Sequence, residues 1–83
     1  MRASVIRDIY HSFSFMLDEV EITEVTPKEL TVIFTLKGEK FRTVFEGNGV
    51  SYTSRINGEE KRMRYEFNYG PKFIWELRNY FDL

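Results

Sequence analysis

The sequence predicts an α+β fold: a five-strand antiparallel meander flanked by N- and C-terminal helices packed on one face, in the order α-β-β-β-β-β-α and in two layers. Three observations predict it. Turn signals at Pro27-Lys28, Gly38-Glu39, Gly47-Asn48-Gly49 and Asn57-Gly58 stand about ten residues apart between runs of alternating apolar and polar residues, the spacing of hairpins rather than of an α/β unit. On either side of that ladder the hydrophobic period changes from two to 3.6. Aromatic residues make up 17% of the 83 residues, which supplies large buried rings to a chain otherwise short of core.

Taken in order, residues 3–17 form an amphipathic helix. Val5, Ile6, Ile9, Tyr10, Phe13, Met16 and Leu17 fall within one arc of roughly 140° at about 100° per residue. Arg7, Asp8, His11, Ser12 and Asp18 take the other face. Strands follow at 20–25, 29–37, 40–46, 50–56 and 59–68. Pro71 then opens a second helix over 72–82, because proline at the first helical position has the required φ and lacks only an N–H that has no helical partner. Its stripe is Phe73, Ile74, Leu77, Tyr80 and Phe81. No linker or repeat interrupts the chain, so residues 1–83 are expected to form one domain.

Two-residue loops fix cross-strand partners. With Gly38-Glu39 as the loop, Leu36 faces Phe41, Phe34 faces Thr43 and Val32 faces Phe45. Asn57-Gly58 pairs Tyr52 with Met63, Val50 with Tyr65 and Arg55 with Glu60. The helix-covered side then collects Leu30, Val32, Phe34, Leu36, Phe41, Phe45, Val50, Tyr52, Ile56, Met63, Tyr65 and Phe67. The open side carries Lys37, Lys40, Arg42, Arg55, Arg62 and Arg64 against Glu46, Glu60 and Glu66, with Ile33 opposite Val44. A strict Pro27-Lys28 loop turns Ile22 to the open side. One bulged residue returns Val20 and Ile22 to the core, and the bulge is preferred because it buries more apolar surface.

Composition excludes several function classes. The sequence has no cysteine, hence no disulfide scaffold, thiolate zinc site or cysteine nucleophile. Charge interrupts the N-terminal segment before any apolar stretch of signal-peptide length, and no run approaches a membrane span, so a soluble, cytoplasmic chain with no membrane contact is expected. The net charge of −1 hides a division. Residues 1–30 carry three more acids than bases and residues 31–64 three more bases than acids.

No catalysis is predicted. His11, the only histidine, has Asp8 three residues before it and Ser12 beside it, but all three lie on the solvated arc of a helix, where such neighbours are ordinary. The acidic run Asp18-Glu19-Val20-Glu21 with Glu24 lacks the spacing of a calcium loop, and Gly47-Asn48-Gly49 joins two strands rather than leading into a phosphate-binding helix. Neither metal nor cofactor is expected. A small-ligand pocket would need a core left incompletely filled and lined by the hydroxyls of Tyr10, Tyr52, Tyr65 or Tyr80, which the many large rings argue against.

Two aromatics leave their own helical stripes. Phe15 lies roughly 140° from the apolar arc of the first helix, beside His11, and Trp75 lies about 100° from that of the second. Two such rings on one layer predict an apolar patch on its outer surface and a small protein–protein interaction module, self-associating or an accessory subunit, with Phe15, Trp75 and His11 at the interface. The alternative is a nucleic-acid-binding domain that uses Arg42, Arg55, Arg62 and Arg64 on the open side. On the register above, that side has charge but no ring on which a base could stack.

Overall fold

The computed structural model describes residues 2–56, 58, 60–64 and 71–82. Helix α1 (Ala3–Met16) leads into strands β1 (Asp18–Val25), β2 (Glu29–Leu36), β3 (Glu39–Glu46), β4 (Val50–Arg55) and β5 (Lys61–Arg64), and the chain closes with helix α2 (Pro71–Tyr80). The strands form one antiparallel sheet in the order β1-β2-β3-β4-β5, the meander expected from the turn ladder. Both helices bury their apolar stripes in one cluster with the same side of the sheet, leaving the other side without a helix among the described residues.

The cluster is built on phenylalanine. Phe13 of α1 meets Phe34, Phe45 and Phe73 with ring centroids 5.3, 5.6 and 5.8 Å away, and Phe41 meets Phe81 at 5.0 Å. Phe45 meets Phe73 at 5.6 Å, which joins α1, α2 and the sheet through one group of rings. Ile9, Leu30, Val32 and Leu77 are fully buried around it. Each buried ring contributes roughly 1.5–3 kcal/mol of transfer free energy, so these rings are the main support of so short a chain.

The first strand bulges. Its pairing with β2 shifts register between Asp18 and Glu21 and again between Ile22 and Glu24, and Val20 and Ile22 pack against the core, as the burial argument requires. At the turn into β2, Thr26 Oγ1 accepts from the N–H groups of Lys28 and Glu29 at 3.2 and 2.9 Å. Such a hydroxyl bracket fixes the reversal where proline offers no N–H.

Two registers differ from the sequence expectation. Between β2 and β3 the loop is Lys37-Gly38, both at positive φ (50° and 79°), which is the backbone of a type I′ turn. Phe34 therefore pairs with Phe41, Val32 with Thr43, Leu30 with Phe45 and Ile33 with Arg42. The offset is two residues, so every side chain keeps its face.

The second difference turns a strand over. The three residues Gly47, Asn48 and Gly49 bring Ser51 opposite Phe45, Thr53 opposite Thr43 and Arg55 opposite Phe41. Across β4–β5, Ser51 pairs with Met63 and Tyr52 with Arg62. Ser51, Thr53 and Arg55 thus face the helices, while Val50 and Tyr52 face the open side. Tyr52 is half-buried there, Val50 is buried outside the main cluster, and Ile56 is exposed.

Hydroxyl pairing is what makes this orientation tolerable. Thr43 Oγ1 and Thr53 Oγ1 share a buried hydrogen bond of 2.8 Å, and Ser51 Oγ donates to the Met63 carbonyl at 3.3 Å, so the hydroxyls go under the helices already partnered. The sequence expectations for Tyr65, Phe67, Glu66, Asn57, Glu59 and the strand beyond Arg64 lie outside the described residues.

Candidate functional site

The outer surface of the helix layer follows from helical angle alone. Phe15 stands two residues after Phe13 and Trp75 two after Phe73, a rotation of about 200° in each case, so rings that follow core rings point away from the sheet. Phe15 is 91% exposed and Trp75 62%, against 0% for Phe13 and 2% for Phe73. Isolated exposed rings are ordinary. Here two of the largest side chains stand outside the same layer, whose helices meet through Phe13 and Phe73.

His11 precedes Phe15 by one helical turn and is exposed, with Tyr10 edge-on to its ring at 6.2 Å. On α2 the Arg78 guanidinium lies 5.5 Å from the Trp75 ring centroid. Arg78 Nε is buried and has no hydrogen-bond partner among the described residues. A cation over a ring is attracted by the ring quadrupole, which favours one orientation of the indole. Tyr80 is exposed as well.

Arg55 is not on the open side. It follows from the β4 register that its side chain runs beneath the end of α2, where Nε donates to Glu39 Oε2 at 2.6 Å and Nη2 to the Phe81 carbonyl at 3.1 Å. Its guanidinium sits 5.8 and 5.3 Å from the Phe41 and Phe81 ring centroids. A cation beside the last carbonyls of a helix completes their hydrogen bonding and opposes the negative end of the dipole. Arg55 is a structural clasp between β3, β4 and the C-terminus of α2, and its expected pairing with Glu60 is replaced by Glu39.

Arg42, Arg62 and Arg64 do lie exposed on the open side. Tyr52 stands among them, paired with Val44 on β3 and Arg62 on β5, so the expectation that no ring accompanies these cations is corrected. The signal that could have shown it is the three-residue Gly47–Gly49 loop, whose parity sets the face of β4. The tyrosine-lined pocket is not assembled: Tyr52 lies across the sheet from the helices, Tyr10 and Tyr80 are exposed on the other side, and Tyr65 is outside the described residues.

Among the described residues no three of His, Asp and Glu gather into a group that could hold a metal ion, and no helix is long and apolar enough to cross a membrane. No protein-family model, curated protein or solved structure matches the chain.

Proposed function

We propose that the chain is a small non-enzymatic protein–protein interaction module that contacts its partner through the outer surface of the helix layer, with Phe15 and Trp75 as the anchors and His11 beside them. The observation that carries this reading is the exposure of both rings outside a layer whose inner rings are wholly buried. Leaving a phenylalanine ring in water forgoes roughly 1.5–3 kcal/mol, which a complementary protein surface recovers on binding. Tryptophan and arginine are both enriched among the residues that dominate interface energy.

The test is site-specific crosslinking from the native cell extract. A photoreactive phenylalanine analogue at position 15 is expected to crosslink one discrete protein species, and the same analogue at the exposed Thr23 on the edge strand β1 is not. A diffuse smear or no adduct from position 15, with the same yield from position 23, contradicts the reading.

A second reading has an observation of its own. Tyr52 with Arg42, Arg62 and Arg64 combines a ring and cations on one surface, the pairing by which sheets hold single-stranded nucleic acid. It would show as affinity falling by about 0.7–0.9 units of log K per phosphate contact for each tenfold rise in salt.

A further inference from the structure

We propose that the protein partner of the helix layer brings an aspartate or glutamate side chain to Arg78, seated beside the Trp75 ring. This rests on the helix-layer reading and names the chemistry of its partner.

Arg78 is a cation left without an acceptor. It is half-buried, and its Nε is closed off from the surface with no hydrogen-bond partner. Among the described residues no carboxylate or carbonyl receives any of its N–H groups, although Glu76 and Asp82 stand near it in the chain. What it meets is an aromatic face, with the guanidinium 5.5 Å from the Trp75 ring centroid.

Arg55 shows how the same fold treats an arginine whose role is internal. It too lies against rings, those of Phe41 and Phe81, but its Nε donates to Glu39 and its Nη2 to the Phe81 carbonyl. The place of Arg78 in the last turn of α2 accounts for a positive charge, which opposes the negative end of the helix dipole. It does not account for an Nε–H shut away unmet. A polar group in that condition costs free energy until an acceptor arrives.

A carboxylate is the acceptor that fits. Its two oxygens match the planar guanidinium fork, and an apolar ring beside the pair excludes water and strengthens it. Approach from the side reaches Nε and Nη2 together when the indole, which stands outside the core, turns aside. A phosphate or a nucleic-acid backbone is matched less well, because Arg78 has Glu76 and Asp82 rather than further cations beside it in the chain. With Trp75 as the neighbour, the segment that fits carries its acid next to an apolar residue.

A phage-displayed library of random linear peptides, panned against the whole chain, supplies the probe. The peptides recovered are expected to carry aspartate or glutamate next to an apolar residue and to shift Trp75 emission to the blue on binding. Changing that acid to its amide in the peptide should weaken binding about tenfold or more, and Arg78→Gln in the chain should do the same. The two changes together should cost little more than either alone, because both remove one pair. Arg78→Lys, which keeps the charge and loses the fork, should bind between wild type and Arg78→Gln. Circular dichroism checks that both variants fold, and the amide peptide tests the pair on unaltered protein. Peptides that shift Trp75 emission yet carry no acid, or bind Arg78→Gln as tightly as wild type, overturn the carboxylate and leave the helix-layer reading standing. Peptides that leave Trp75 emission unchanged, or a library without a binder, overturn both. Self-association that Arg78→Gln abolishes overturns the separate partner, since the carboxylate would then be the chain's own.

Discussion

Phe13→Ala is expected to cost about 3–5 kcal/mol, the usual penalty for removing a buried ring and leaving a cavity. Phe13 is wholly inaccessible and touches three other core rings, one of them on α2, so no single neighbour can collapse into the space. A chain of 83 residues at about 0.05–0.15 kcal/mol per residue has only about 4–12 kcal/mol in hand, and this one change removes roughly a quarter of it or more. Phe15→Ala, two residues further along the same helix, should change stability by no more than about 0.5 kcal/mol. Urea denaturation followed by circular dichroism decides between them. Similar losses at both positions would show that the Phe15 ring is packed in the free chain and that the outer patch does not exist.

The second large effect concerns a pair of hydroxyls under the helices. Thr43→Val or Thr53→Val alone leaves the other hydroxyl buried without its partner, at about 1–3 kcal/mol. Valine has nearly the volume of threonine, so the double variant removes both polar groups and should recover most of that loss. The double-mutant cycle therefore predicts strong non-additivity. Strictly additive losses would mean that the two hydroxyls do not bond and that β4 presents its other face to the core. The measurement thus reports the register on which the assignment of the open side rests.

Turn chemistry made the five strands, both helices and their order legible. Burial also resolved β1, where only a bulge returns Val20 and Ile22 to the core. The face of β4 was not legible from hydrophobicity. Its apolar residues Val50, Tyr52 and the following Ile56 all share one parity, which suggested that they were core, whereas the Gly47–Gly49 loop sets the opposite parity and Thr53 finds a ready hydroxyl partner on β3. Lys37 at positive φ was equally invisible, because a non-glycine residue gives little sign that it occupies such a backbone position.

The same error placed Arg55 among the exposed arginines, when it clasps the end of α2, and hid Tyr52 from the surface to which it belongs. Exposure of Phe15 and Trp75 was legible because helical angle depends only on spacing within one element.

On the proposed reading the helix layer offers uncovered aromatic rings to a protein partner, and Trp75, the only tryptophan, reports on it directly. Fluorescence of the free chain at low concentration is expected to show the red-shifted emission of a solvated indole, with ready quenching by acrylamide and little further red shift on unfolding. A blue-shifted indole shielded from acrylamide in the dilute native chain would contradict this reading: Trp75 would then belong to the core, and the helix layer would have no open tryptophan to present.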